Sequence, residues 1–250
     1  AKQVKVKNND TECGINKDNL NNNSASPTLL SGTGEHIYQQ FQQLRINNEN
    51  NYSQASANVG RAQELSMLSS EQTNPLSLQD SPAEHLWRGC FKKWFVGMVA
   101  SWMYDDVVNH QVLVLIGKQG IFKTTWLEHL IPPALRAYCC KLANTTQINK
   151  DDRLRLAEFG LINLDELDSM SSRELNTMKS IITATDVNER AAYGYTKERK
   201  IRLASFCASS NRREFLTDIT GNRRWLPFEV ESIENPFQSI LPYERMYAQA

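Results

Sequence analysis

The chain has 250 residues, 40% of them apolar, enough for one good core or two small ones, and its 28 Lys and Arg balance 28 Asp and Glu. That balance excludes a wholly basic nucleic-acid coat and a polyanionic tail protein. The longest apolar run is Val112–Ile116 and the mean hydropathy is −0.51, which excludes a helical membrane span of about 20 residues.

Composition changes near residue 85. Residues 1–85 hold 13 Asn, 9 Gln and only three of the 22 aromatic residues. A stretch such as 19–27 buries too little apolar surface to offset chain entropy, so residues 1–85 are expected to be a disordered Asn/Gln/Ser-rich linker. At most one short helix is expected there, over 35–45, where Ile37, Phe41 and Leu44 recur at helical spacing. The N-terminus has no apolar h-region of a signal peptide. The five cysteines are odd in number, without C-x-x-C spacing or nearby His, and are read as reduced thiols of a cytoplasmic protein. A start at Ala1 without Met, and an end inside helical-looking residues, predict a processed start and a C-terminally truncated domain.

Residues 86–250 form the expected folded unit. Residues 83–104 read as a helix with Leu86, Phe91, Trp94, Phe95, Met98 and Trp102 on one face. Residues 111–116 read as a strand buried on both faces, followed by a Gly-containing turn and a helix over 124–131 that Pro132 and Pro133 stop. A helix over 149–159, a strand over 161–164 and a helix over 171–183 follow, with Ser171 and Glu174 spaced for a capping box. A strand over 201–208, one over 224–230 and a helix from Tyr243 complete the order. This alternation predicts an α/β three-layer sandwich with a mostly parallel sheet.

Gly117, Gln119, Gly120, Lys123, Thr124 and Thr125 lie where a buried strand turns into a helix, the context of a phosphate-binding loop. There Lys123 would reach the β- and γ-phosphates of ATP and Thr124 would ligate Mg²⁺. The G-x-x-x-x-G-K-[ST] pattern asks for Gly where this chain has Phe122. Either the backbone takes a neighbouring conformation or phosphate binding is weakened. A plain turn with a solvated Lys is the alternative. Asp165 and Glu166 end the 161–164 strand at the carboxyl edge of the sheet. Asp165 is expected in the Mg²⁺ shell and Glu166 beside the attacking water, a solvated turn being the alternative; Asp168 reads as a helix cap.

Asn211, at the tip of a further strand, suits a neutral contact to the lytic water or γ-phosphate, or simply an Asx-turn. Arg223 and Arg224 stand on a Gly-Asn turn, suited to project one arginine finger toward a neighbouring subunit's γ-phosphate. A surface salt bridge or stacking on Trp225 is the alternative.

The runs 112–126, 161–167, 191–195, 209–211 and 218–227 resemble the virulence-associated protein E family over roughly residues 86–250, the Thr-Gly-Asn-Arg-Arg-Trp element at 220–225 being the most specific. The resemblance implies a P-loop ATPase related to superfamily 3 helicases and AAA+ proteins. Such proteins are carried by phages, plasmids and genomic islands, often with a primase, and act in ATP-driven DNA unwinding. It further implies that the segment between the Asp-Glu strand and the Asn211 strand is a hairpin gripping single-stranded DNA in the pore of a ring. Here Arg190, Tyr193, Tyr195, Lys197 and Arg199 would make that contact. Five cations, Arg202 included, face three acids with two tyrosines around Gly194, which combines phosphate contacts with stacking faces. A solvated hairpin is the alternative, and Tyr195 stands where the family has Arg.

Together these residues predict an ATP-hydrolysing, helicase-like motor of a mobile genetic element, a homo-oligomeric ring on single-stranded or forked DNA with a primase partner. The rival is a non-catalytic nucleic-acid-binding module with a relic phosphate loop. A P-loop kinase ranks last, having no use for paired arginines and a basic aromatic hairpin.

Overall fold

Eight strands carry the chain: β1 Val4–Val6, β2 Val112–Ile116, β3 Cys139–Leu142, β4 Leu161–Leu164, β5 Asp186–Glu189, β6 Glu198–Ile201, β7 Ser205–Ser210 and β8 Trp225–Ile233. The computed structural model describes residues 3–7, 39, 81–142, 150–189, 198–212 and 222–250. Six strands form one sheet in the order β1-β8-β2-β7-β4-β3, parallel throughout except for β1, and β5 and β6 form a separate antiparallel pair.

Period-two alternation divides the sheet's side chains between two cores. Leu113, Leu115, Leu161 and Cys207 face one core, with helices α1 (Pro82–Met103), α2 (Lys123–Glu128) and α5 (Tyr243–Ala248). Val112, Val114, Ile116, Ile162, Leu164, Phe206 and Ala208 face the other, with α3 (Lys150–Glu158) and α4 (Ser172–Ile182). Strands buried on both faces explain why β2 reads as a continuous apolar run and why β4 is apolar except for Asn163. The result is the expected three-layer sandwich.

Helix α1 starts with a capping box, Ser81 accepting from the Glu84 N–H and Glu84 accepting from the Ser81 N–H, with Pro82 in the first turn. Its buried tryptophans keep their polar atoms satisfied, because Trp94 Nε1 donates to Phe206 O at 3.1 Å and Trp102 Nε1 to Gly160 O at 3.0 Å. Helix α4 begins with the capping box that Ser171 and Glu174 predict.

Three features depart from the sequence reading. Residues 4–6, expected in a linker, pair with β8 at the edge of the sheet. Val4 and Val6 bury one face, and Lys5 meets Glu231 at 2.8 Å on the other. The neighbouring Gln3 accepts a hydrogen bond from Trp126 Nε1 at 3.1 Å, tying this strand to α2. The edge strand β3 was not anticipated, because four residues carry too little periodicity. The strand expected over 201–208 is split, since Ile201 closes the β5–β6 hairpin and β7 begins only at Ser205. The helix expected over 35–45 lies outside the described residues except for Gln39.

Among the described residues no helix is long and apolar enough to cross a membrane. Among the described residues Cys90, Cys139, Cys140 and Cys207 form no disulfide. Burial pushes Cys139 up to about 12 and Cys140 up to about 11, which keeps both protonated at neutral pH.

Candidate phosphate and metal site

β2 delivers the chain to a loop that only particular backbone conformations can close. At Gly117 a Cβ would stand 2.7 Å from the Val230 carbonyl oxygen and 2.9 Å from Ile121 Cδ1, so glycine is required by close approach. Gly120 has φ +83°. Phe122, at the start of α2, has φ 64° and ψ 21°, a left-handed turn that glycine adopts freely, and the residue is 38% exposed. The backbone thus accommodates Phe122 by strain of about 1 kcal/mol, with the ring kept out of the loop. Phe122→Gly is accordingly expected to bind ATP at least as tightly as the wild type in a calorimetric titration; weaker binding would show that the ring itself shapes the loop.

Lys123 is buried, and its three donors are all used: Gly117 O and Lys118 O at 2.7 Å each, and Asn211 Oδ1 at 3.1 Å. Burial lowers its pKa, opposed by the charges of Asp168 and Asp165. The ammonium therefore braces the loop and joins it to the tip of β7. Beside it, Thr124 Oγ1 donates to Asp165 Oδ1 at 2.9 Å, and Ser209 Oγ donates to the same oxygen at 2.6 Å. Thr124 Oγ1 also lies 3.2 Å from Ser209 Oγ. Burial alone would raise the Asp165 pKa, but the Ser209 and Thr124 hydrogen bonds, the Lys141 charge and the Glu166 N–H together hold it below the ordinary carboxylate value. Among the described residues no cluster of three His, Cys, Asp or Glu could hold a metal. One carboxylate with two hydroxyls is instead a hard, all-oxygen set, and it fits Mg²⁺ where phosphate oxygens and water complete the shell.

Glu166 is exposed, with φ 52° and ψ 53°, and its carbonyl accepts from the Ser169 N–H at 2.9 Å and Ser169 Oγ at 2.8 Å. A left-handed non-glycine residue at a strand end is a conformation its surroundings impose, of the kind that gathers at functional sites. Asp168 is not the helix cap its position suggests. Its Oδ1 accepts from Ser210 Oγ at 3.2 Å and from the Asn211 N–H at 3.1 Å, and so sets the position of Asn211. Ser209 is a site residue the sequence reading missed. Its signal was present as two serines ending a wholly buried strand; the register Leu164↔Ala208 puts the next pair, Asp165 and Ser209, side by side. Gln119 is exposed at the loop tip, and the Thr125 carbonyl accepts from His129.

Arg223 and Arg224 are not brought to this site. They form a 3₁₀ turn before β8, where Trp225 pairs with Val112, whereas the phosphate loop follows Ile116, which pairs with Glu229. A strand length of about 13 Å separates the two edges. Arg223 is exposed; Arg224 is half-buried, with its Nε buried and without a hydrogen bond.

In the β5–β6 hairpin, Arg199 is exposed and pairs with Asp186 at 2.9 Å. Arg190, Tyr193, Tyr195 and Lys197 lie outside the described residues. Arg202, counted among the hairpin's cations, is wholly buried and cannot belong to a nucleic-acid surface.

The virulence-associated protein E-like domain matches residues 71–250. No curated protein matches the chain. Similar solved structures include the A-form apo structure of the NrS-1 C-terminal region, 17% identical with a TM-score of 0.49 over 66% of this chain and 42% of that one. Another apo structure of the NrS-1 C-terminal region is 18% identical, with a TM-score of 0.44 over 66% of this chain and 40% of that one. The chain thus spans less than half the length of these structures.

Proposed function

Because the chain belongs to the virulence-associated protein E-like family, we propose that it is an ATP-hydrolysing, DNA helicase-like motor of mobile-element replication, assembled as a ring with ATP between subunits. One observation carries the reading: Lys123, Thr124, Asp165, Ser209 and Asn211 converge by hydrogen bonds from three separate chain segments at the carboxyl edge of the sheet. That edge is where parallel α/β sheets bind ligands.

In this reading the loop N–H groups and Lys123 hold the ATP phosphates, and Thr124 and Asp165 hold Mg²⁺, which neutralises developing phosphate charge. Glu166 takes the proton of the attacking water, and Asn211, held by Asp168, orients that water or the γ-phosphate. Arg223 serves a neighbouring subunit, since its own site is a strand length away. Repeated head-to-tail contacts of this kind close into rings when the rotation permits. The hairpin, with Arg190, Tyr193, Tyr195, Lys197 and Arg199, meets single-stranded or forked DNA, and a primase supplies the partner activity.

The non-catalytic alternative rests on Phe122, and a loop that retains the Lys123 and Thr124 contacts gives it little support. The test is ATP hydrolysis at several protein concentrations, with and without single-stranded DNA, beside Lys123→Ala. Turnover that rises with concentration and DNA, and disappears in the variant, is expected. DNA binding without turnover would instead favour the binding module.

A further inference from the structure

Arg202 is fully buried and forms no ion pair with a described carboxylate. Its charge is satisfied by main-chain carbonyls. Nε donates to Ala204 O at 2.9 Å; Nη1 donates to Ile181 O at 3.3 Å, to Ile182 O and to Ala184 O at 3.0 Å; Nη2 donates to Asn109 O at 3.0 Å. The guanidinium carbon also lies 5.0 Å from the centre of the Phe206 ring. Ile181 and Ile182 end α4, where Ile181 O also accepts from the Ala184 N–H at 3.1 Å and Ile182 O lies 3.2 Å from His110 Nδ1, so the cation completes the capping of the negative end of that helix. Burial lowers its pKa to about 9, which still leaves it charged at neutral pH.

The position of this clamp in the chain gives it a use. Arg202 directly follows β6, and its N–H donates to Thr185 O at 3.4 Å beside the hairpin's closing pair Asp186↔Ile201. At its other end α4 follows the segment that carries Asp165, Glu166 and Asp168. Residues 165–189 are therefore one uninterrupted path from the candidate site, through a rigid helix, to the hairpin.

We propose that Arg202 is a positioning residue that locks the hairpin base to the carboxyl end of α4, so that movement of the Asp165–Asp168 segment on nucleotide binding reaches the hairpin instead of dissipating at residues 183–185. The proposal rests on the motor reading above. A buried aliphatic side chain would fill the space but leave several carbonyls unpaired, and lysine lacks the planar fork that serves them together.

Arg202→Lys separates coupling from structure. Measured are ATP turnover with and without a single-stranded oligonucleotide, and oligonucleotide affinity without nucleotide. Basal turnover and affinity are expected to persist while the DNA-stimulated increment is lost. Undiminished stimulation, or a fall in basal turnover with the stimulation ratio intact, would overturn the proposal. The wild-type chain provides a second test that does not depend on the variant folding. A non-hydrolysable ATP analogue should alter hydrogen exchange at residues 181–189 and 198–202 together; a change confined to 117–125 and 165–169 overturns the coupling. Absence of any ATP turnover in the wild type would instead refute the motor reading beneath it.

Discussion

Arg223→Ala is expected to leave ATP affinity unchanged while lowering turnover by roughly 10³–10⁵, the range an arginine finger contributes. The expectation joins the proposed ring to geometry: Arg223 is exposed at the edge of the sheet opposite its own phosphate loop, so in that ring it would serve a neighbour's site and not its own. A mixing experiment makes this specific. Glu166→Gln subunits keep the arginine but lose the base, and Arg223→Ala subunits keep the base but lose the arginine. Each variant alone should be inactive, whereas mixed rings contain interfaces with both groups intact and should recover part of the turnover. Full activity in Arg223→Ala alone, or no recovery on mixing, would refute action between subunits. Half-buried Arg224 is not expected to substitute.

Lys123→Ala should lose both ATP binding and turnover, the latter by at least about 10²–10³, the cost of deleting one preorganised electrostatic contact. Two consequences act together. The positive charge that would meet the phosphates is removed, and so is the brace that ties Gly117 O and Lys118 O to Asn211. Nucleotide titration and steady-state hydrolysis, with circular dichroism to verify the fold, check the outcome. A folded variant that still hydrolyses ATP would remove Lys123 from the site.

Local pattern determined much of this protein. The shift from period two to period 3.6, with Gly and Pro as punctuation, is enough to locate β2, α2, β4, α4 and β8 from their own residues, and Ser171 with Glu174 is enough to cap α4. The placement of Lys123, Thr124, Asp165 and Glu166 at the carboxyl edge of the sheet was legible for the same reason, because each follows a strand that announces itself. Only the tertiary structure decided the rest. Inserting β7 between β2 and β4 brings Ser209 to Asp165 across 44 residues and turns Asp168 from a cap into the support of Asn211. The position of β8 sends Arg223 to the far edge. Val4–Val6 becomes sheet because β8 offers an edge to pair with, although three residues have almost no intrinsic strand signal. Arg202 reads as a surface cation, because a one-dimensional pattern shows charge but not the ring of carbonyls that makes its burial tolerable. Periodicity is a property of neighbours along the chain, whereas strand order and the partners of buried polar groups are set by contacts between segments that the pattern of either one alone does not encode.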